Sequence, residues 1–146
     1  GGGLRSTASD YVRFLQVILN GGELDGVRVL STASVNLMSQ NHIGDLEAAD
    51  SVSSSNPGVS NDFDFMPDSA DKFGLGFLIN TDPIPGGRPA GSLAWAGLYN
   101  SYYWIDTEND ICGVLITQIL PFFDAEVLAL LNEFETAVYA AAGPSN

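Results

Sequence analysis

The chain has 146 residues and a formal net charge of −13, which comes from 18 Asp and Glu against only 5 Lys and Arg. Its apolar fraction of 45% is typical of a folded domain, whereas the shortage of cations excludes the basic face that nucleic acids and anionic membranes require. The single cysteine, Cys112, excludes an internal disulfide, and no apolar run approaches the ~20 residues that span a bilayer.

The first 40 residues predict two short helices. Thr7 is a good N-cap, and the apolar residues after it recur at helical spacing until Gly21 and Gly22 end the segment. A turn at Asp25-Gly26 and a short extended piece follow. Ser31 then caps a second predicted helix over residues 32 to 40.

Residues 45 to 71 predict a long surface loop. The loop carries seven of the 18 acids, with no Lys or Arg before Lys72, and it contains a turn-rich polar run. Long loops in compact domains are usually lids or mobile segments. Because Phe63, Phe65 and Met66 are apolar, we expect part of this loop to dock onto the rest of the chain.

The second half of the chain predicts strands. Phe73 to Ile79 alternates with a period of two and predicts one half-buried strand. Residues 92 to 96 and 99 to 105 predict two extended pieces broken at Gly97. The run from Ile111 to Gln118 is almost entirely apolar, which predicts a central strand covered on both faces.

A last helix, capped by Asp124 and ending before Gly143, completes the predicted order of helix, helix, loop, three strands and helix. Consecutive strands without crossover helices predict an antiparallel sheet, so the fold class is α+β. The apolar last strand needs a further strand or layer on its open side, which the chain does not obviously contain.

Most residues with reactive side chains have a structural interpretation. The single His42 has no nearby nucleophile, and Cys112 lies in an apolar strand without a basic partner. Four acidic loop residues lack the glycine and the final glutamate of a calcium loop, so no metal and no cofactor is predicted. These residues are Asp62, Asp64, Asp68 and Asp71.

The segment Trp95-Ala96-Gly97-Leu98 allows two interpretations. Gly97 has no side chain, so the backbone at this strand end can approach a ligand closely, and exposed N–H groups there can bind an oxyanion. The alternative is an ordinary turn with a packed tryptophan. The residues alone leave both open.

Several segments, in order and at sensible spacing, resemble the serine β-lactamase-like hydrolases, and especially their class C-like esterases and transesterases. The resemblance covers almost the whole chain except the loop of residues 45 to 71. It rests on Gly2-Gly3-Leu4, Ser6–Tyr11, Leu19–Gly26, Trp95-Ala96-Gly97, Tyr103–Asp106, Thr117-Gln118 and Leu120–Phe122.

The resemblance implies that the catalytic serine and its helper tyrosine lie upstream, since family members are longer and carry a Ser-x-x-Lys motif. Ser69-Ala70-Asp71-Lys72 fits this pattern formally, but it lies in the acidic loop instead of opening an apolar helix. We therefore reject it as the nucleophile.

On this basis the chain is expected to be the C-terminal part of a β-lactamase/transpeptidase-like fold. Residues 1 to 44 would end the helical region, residues 45 to 72 form the acidic loop, and residues 73 to 146 supply the last strands and the covering helix. The opening Gly1-Gly2-Gly3-Leu4 has no initiator Met and no signal-peptide pattern, which is typical of a processed or truncated chain. The expected partner of the open sheet is the missing N-terminal part or a second copy of the chain.

The third family motif is expected at Trp95-Ala96-Gly97, with the Leu98 N–H as one half of an oxyanion hole and Tyr99 beside it. Ala96 departs from the family's Lys-Thr-Gly and Trp-Gly-Gly patterns. Trp95 in place of lysine, together with the charge, predicts a neutral ester substrate. Because the nucleophile and its base are expected upstream, the fragment alone is predicted to be inactive. The alternatives are a β-lactamase, penicillin-binding or D-aminopeptidase-like enzyme, or a non-catalytic interaction domain; cytoplasmic and secreted locations both stay open.

Overall fold

Both N-terminal helices begin at their predicted caps. A computed structural model describes residues 5–48, 51–67 and 69–143. Helix α1 is Ala8–Leu19, and the Thr7 side chain accepts a hydrogen bond from the Asp10 amide at 3.1 Å. Strands β1 (Glu23–Leu24) and β2 (Val27–Arg28) form a small hairpin. Helix α2 is Thr32–Met38, shorter than predicted by two residues, and is capped by Ser31. The family segment Gly2-Gly3-Leu4 lies outside the described residues.

The single strand predicted over residues 73 to 79 is wrong. The segment is a hairpin, in which β3 (Lys72–Phe73) pairs with β4 (Leu78–Ile79). Gly76 has a φ of +98°, and the Gly74 amide donates to the Phe77 carbonyl at 2.8 Å. A Cβ on Gly74 would collide with a backbone carbonyl of α2, so the two glycines make the tight turn that alternation alone concealed.

The sheet is antiparallel, as predicted, but has five strands instead of three. Its order is β3-β4-β5-β6-β7, in which β5 is Leu93–Gly97, β6 is Ser101–Asp106 and β7 is Ile111–Leu115. All neighbouring strands follow one another in the chain. The α+β class is therefore confirmed. One additional strand comes from the hairpin that sequence alternation missed, and the other arises because the two extended pieces broken at Gly97 are separate strands, β5 and β6.

Strand β7 is an edge strand in the described part of the chain, so the prediction of a central strand covered on both faces is wrong there. It pairs with β6 alone, and four of its five residues are only half-buried. The apolar sequence of β7 correctly indicated that its side chains pack against the core clusters. It does not indicate how many strands pair with β7.

Helices cover both faces of the sheet. On one face, Leu15 and Ile18 of α1 pack with Ile105 of β6 in one fully buried cluster. On the other face, helix α3 (Ala125–Ala142) packs Val127 near Tyr102 of the same strand. Ile105 and Tyr102 are three residues apart on β6, so their side chains point to opposite faces and the domain has three layers.

The acidic loop docks onto the segment before α3, as its aromatic residues predict. The Asn61 amide donates to the Phe122 carbonyl at 3.0 Å, and the Phe122 amide donates to Val59 at 2.8 Å. The Phe63 ring lies 5.3 Å from that of Phe122. Among the described residues, no helix combines the length and the apolar character that a membrane crossing requires.

Candidate functional site

The segment Trp95-Ala96-Gly97 forms the last part of β5 and is paired on one side. Strand β6 pairs with the whole of β5, up to the Gly97–Ser101 pair. Strand β4 reaches only the first two residues of β5, Leu93 and Ala94. In the described part of the chain, the backbone edge of the motif that faces away from β6 is therefore unpaired. An unpaired strand edge offers N–H and C=O groups to another chain or to a ligand.

The turn after β5 is exposed at its tip. Leu98 is 49% exposed and Tyr99 is 53% exposed, so neither side chain contributes to the core. The Leu98 amide donates no hydrogen bond to any of the described residues. It is thus a backbone donor at a strand end, which is the type of group that an oxyanion hole uses.

Gly97 has no packing reason inside the described chain to be glycine. A Cβ at this position would meet only Ser101 atoms, at 3.7 Å or more, which is an ordinary contact. At Gly113 on β7, by contrast, a Cβ would collide with the Trp104 indole. The missing side chain at Gly97 therefore leaves open the space in front of the strand.

Trp95 is held between the acidic loop and the β3–β4 hairpin. Its indole lies 5.0 Å from the Phe73 ring in an edge-on arrangement and 5.7 Å from the Phe65 ring. The side chain nevertheless remains 37% exposed. Two contacts from different segments fix the ring while one side of it stays available.

A cavity of about 260 Å³ lies between the acidic loop and this strand end. Among the described residues its walls are mostly aromatic or aliphatic, and Ser60 supplies a hydroxyl. The lining residues are Ser60, Phe63, Phe65, Trp95, Ala96, Gly97, Leu98 and Phe122. The Leu98 backbone thus borders an apolar compartment.

A second cavity, of about 270 Å³, opens on the α1 side of the same motif. Tyr11 of α1 and Tyr103 of β6 line it, together with Trp95, Ala96 and Gly97. The motif therefore separates two cavities, and none of the described residues that line them has a charged side chain.

No group in the site is prepared to act as a base. Burial raises the pKa of Tyr102 to about 12, and it raises the pKa of Tyr103 and of Tyr11 as well. All three phenols are neutral at pH 7 and bind a proton more tightly than a free tyrosine. The described part of the chain contributes apolar walls and backbone donors here, and no general base.

Ser69 and Lys72 do not form a catalytic pair. The Ser69 hydroxyl donates to Asp71 Oδ1 at 3.0 Å and lies 3.0 Å from the Thr81 hydroxyl. The Lys72 ammonium donates instead to the Leu46 carbonyl at 3.0 Å. Lys72 lies in strand β3, so the helical geometry that brings the two residues of Ser-x-x-Lys together is absent.

The remaining candidates have local partners. His42 Nε2 lies 2.7 Å from the Leu37 carbonyl near the end of α2. Cys112 is half-buried in β7, and burial raises the pKa of its thiol. Asp62 accepts a hydrogen bond from the Ser54 amide at 2.7 Å, and Asp64 accepts one from the Met66 amide at 3.2 Å. Asp68 lies outside the described residues.

Sequence reasoning missed Asn100 and Phe122. Asn100 is fully buried although it belongs to the exposed turn, and its φ is +58°. The sequence predicts an extended piece from residue 99, whereas Asn100 lies in the turn between β5 and β6, in a conformation that asparagine adopts more readily than most residues. Phe122 closes the apolar cavity from the segment before α3, and only the tertiary structure brings it there.

The family model described as "Beta-lactamase" matches residues 1–137 of the chain. An uncharacterized protein of Mycobacterium tuberculosis is 33% identical over 136 residues, which are 88% of this chain and 31% of the relative. The lovastatin esterase of Penicillium rubens is 30% identical over 135 residues, covering 91% of this chain and 33% of that enzyme.

The solved structure of unliganded simvastatin synthase (LovD) from Aspergillus terreus is similar, with a TM-score of 0.70 and 26% sequence identity. The similarity covers 90% of this chain and 33% of that one. The chain therefore spans about a third of the length of the relatives it matches.

Proposed function

The chain belongs to the beta-lactamase family, and from this premise we propose that it is the C-terminal part of a serine hydrolase that acts on neutral esters through an acyl-enzyme. Its own contribution is one wall of the acyl pocket and one donor of the oxyanion hole, the Leu98 N–H. The nucleophilic serine and its base come from upstream sequence.

The observation that carries this proposal is the apolar cavity beside an unpaired backbone donor. Leu98 borders the 260 Å³ cavity, and its amide has no acceptor among the described residues. An ester carbonyl at this point would place its oxygen at the amide and its acyl chain among Phe65 and Trp95. Burial of each CH₂ of that chain is worth ~0.8 kcal/mol.

The reaction then follows the usual course of acyl transfer. The serine oxygen adds to the ester carbonyl carbon, and the negative charge that develops on the carbonyl oxygen is stabilised by the Leu98 N–H. One such donor is worth ~3 kcal/mol in the transition state. The alkoxide leaves with a proton, and water or a second alcohol then attacks the acyl-enzyme and restores the serine.

Charge argues for a neutral substrate. Among the described residues, no charged side chain lines the 260 Å³ cavity or the 270 Å³ cavity. A third cavity that Trp95 also lines carries Arg88 and Glu135, and these two side chains form an ion pair with each other. The family resemblance implies that Trp95 stands where penicillin-recognising members have lysine. With a net charge of −13, the chain repels an anionic β-lactam over longer distances. The name of one relative, lovastatin esterase, agrees with ester chemistry.

The proposal is tested with the full-length protein and two substrates. We expect hydrolysis of nitrophenyl esters of neutral acyl chains and no rapid turnover of a cephalosporin. Fast cephalosporin turnover without ester hydrolysis would favour the β-lactamase alternative, and the absence of Ser-x-x-Lys upstream would favour a non-catalytic interaction domain.

Trp95→Lys is the sharpest variant for the substrate class. It removes the apolar wall and adds a cation, so we expect kcat/KM for the neutral ester to fall by about 10- to 100-fold, as loss of a large apolar contact predicts. Leu130→Lys is the matched control, because it adds the same charge on α3 at a side chain that is 49% exposed. Equal losses in both variants would contradict a direct role of Trp95.

The 146-residue chain gives a separate check on the nucleophile. We expect it to be inactive towards nitrophenyl esters, because its Ser69 and Lys72 are bound to other groups. Activity that disappears in Ser69→Ala would overturn the assignment of the nucleophile to upstream sequence.

A further inference from the structure

Asn100 is a fully buried residue in an otherwise exposed turn. Its relative exposure is 0%, whereas its neighbours Leu98 and Tyr99 are each about half exposed. Its φ of +58° lies in the left-handed region, which asparagine tolerates better than most residues. Glycine would satisfy that backbone requirement at lower cost, so the side chain needs an explanation of its own.

All four hydrogen-bonding positions of the Asn100 side chain are occupied. Its Nδ2 donates to the carbonyls of Ile119 at 2.9 Å and Pro121 at 2.8 Å. Its Oδ1 accepts from the Tyr102 hydroxyl at 2.9 Å and from the Asp124 amide at 3.0 Å. Two acceptors on one side and two donors on the other determine the orientation of the amide, and no other amino acid of this shape satisfies both.

These bonds connect three parts of the fold. The side chain joins the turn after β5 to the segment before α3, and through the Asp124 amide to the N-cap of that helix. The Thr117 hydroxyl adds a bond to the Asn100 carbonyl at 3.0 Å. The Ile119 amide also donates to the Tyr99 carbonyl at 3.3 Å. The turn that carries Leu98 is therefore bound to the rest of the chain along its inner side.

We propose that Asn100 is the positioning residue of the oxyanion donor: its buried side chain holds the turn so that the Leu98 N–H points at the reacting carbonyl. This inference rests on the proposed function. Asn100 itself does not touch substrate, because its four bonds use the whole amide. It acts on the rate only through the placement of Leu98, and misplacement of a reacting group by about 1 Å costs about 10²-fold.

The test compares two buried asparagines at opposite ends of β5 in the full-length protein. Asn100→Asp replaces the two donors by an oxygen that faces two carbonyls, and Asn100→Gly retains the backbone conformation without the side chain. Asn80 is the matched control. It is 1% exposed and its Nδ2 donates to the carbonyls of Asp82 and Pro89, in the loop before β5. Its Oδ1 has no hydrogen-bond partner among the described residues, so Asn80→Asp and Asn80→Ala remove a pair of buried Nδ2 bonds, as the Asn100 variants do, at a place away from Leu98.

Each variant is assayed with a nitrophenyl ester well below its own unfolding midpoint. We expect the Asn100 variants to lose about 10- to 100-fold in kcat with KM changed by less than about threefold, because the contact with the oxyanion exists only in the transition state. Inactivation by a nitrophenyl phosphonate, whose phosphoryl oxygen occupies the same position, should slow by a similar factor. Amide hydrogen exchange in residues 97–101 should become faster.

The outcomes separate this inference from the function on which it rests. A wild-type protein without ester hydrolysis overturns the proposed function. An active wild-type protein whose Asn100 variants retain kcat, or lose no more of it than the Asn80 variants, overturns the positioning role alone. If Asn100→Asp does not fold, Asn100→Gly decides, because its backbone conformation is unstrained.

Discussion

The two ends of strand β5 differ in burial. At its start, the Asn80 amide donates to the Ser92 carbonyl, and both residues are almost completely buried. At its end, Leu98 and Tyr99 face solvent, and only Asn100 behind them is buried. At both ends a buried asparagine binds a loop. The start of β5, with the loop of residues 80–92, is called the sealed end. The end of β5, with the turn of residues 98–100, is called the open end because it leaves a backbone donor exposed.

The sealed end contains an ion pair that is almost fully buried. Arg88 Nη1 lies 2.8 Å from Glu135 Oε2, and the two side chains are 11% and 4% exposed. The Arg88 amide also donates to Oε1 of the same carboxylate. Burial lowers the pKa of the Arg88 guanidinium, and the Glu135 carboxylate opposes that shift. This pair binds the loop before β5 to α3.

Polar groups serve different purposes at the two ends of β5. At its start, the Arg88–Glu135 pair and the Asn80 Nδ2 bonds hold the loop in place, although Asn80 Oδ1, Arg88 Nε and Ser92 Oγ have no partner among the described residues. At its end, the Leu98 amide stays available beside an apolar cavity. Changes at the sealed end should therefore alter the free energy of unfolding, whereas changes at the open end should alter turnover.

The largest effect is expected from Glu135→Ala at the sealed end. Removal of the carboxylate leaves a buried guanidinium unpaired, which costs about 3–5 kcal/mol. Urea denaturation measures this loss. Glu133→Ala, which removes an exposed carboxylate from the same helix, should change the free energy of unfolding by less than about 0.5 kcal/mol. Similar losses in the two variants would contradict a stabilising role of the buried Arg88–Glu135 ion pair.

A smaller loss of stability is expected when one of two strand glycines is replaced by alanine, and it should differ between the two positions. Gly113→Ala places a Cβ against the Trp104 indole and should destabilise the protein by about 1–3 kcal/mol. Gly97→Ala meets only ordinary contacts, so its stability should stay within about 0.5 kcal/mol of wild type.

The two glycine variants should have the opposite order of effects on enzymatic activity. Gly97 lines both cavities beside the motif, so a methyl group there should take space from the substrate. Ester hydrolysis should therefore fall in Gly97→Ala, while folded Gly113→Ala retains its turnover. Thermal unfolding and steady-state kinetics on the same samples measure both quantities. A stable and fully active Gly97→Ala protein would show that the open end has no close contact with substrate.

The smallest effect is a pH dependence that comes from the sealed end. Asp71 is 3% exposed, and burial raises the pKa of its carboxyl despite hydrogen bonds from the Thr81 amide and the Ser69 hydroxyl. The folded state therefore holds this proton more tightly than the unfolded state. The stabilising contribution is fully present below the ordinary carboxyl pKa and is lost as pH rises through the raised value.

Asp71→Asn should remove that part of the pH profile of the unfolding free energy. Glu47→Gln, an exposed change in the same loop, should leave the profile parallel to wild type. Denaturation at several values between pH 4 and pH 7 compares the slopes. A wild-type slope that survives in Asp71→Asn would assign the dependence to other groups.

Local signals predicted the helices well because their causes lie within a few residues. Thr7, Ser31 and Asp124 each accept amide hydrogen bonds at a helix start, and the helical spacing of apolar residues predicted the buried face of α1. The same logic failed between Phe73 and Ile79. Alternation has the same appearance in one strand and in a tight hairpin, and the decisive contact is with the distant residue Met38.

The same distinction between local and long-range causes applies to the candidate site. The motif Trp95-Ala96-Gly97 and the exposed Leu98 were recognisable from the sequence, since they depend on residue type and order. The aromatic contacts of Trp95 with Phe65 and Phe73 were not, because they join segments that lie 20 or more residues apart. Nor does any local pattern indicate that Asn100 binds Ile119 and Pro121.

Four features follow from local sequence alone: the α+β class, the helix starts, the acidic charge and the resemblance to serine β-lactamase-like hydrolases. These depend on composition, period and motif order, which are properties of neighbouring residues. Three others are visible only in the folded chain: β7 is an edge strand among the described residues, Phe65 of the acidic loop packs near Trp95, and the Asn100 side chain binds the Ile119 and Pro121 carbonyls. Strand pairing and burial join residues far apart in the chain, and so they exist only when the fold is formed.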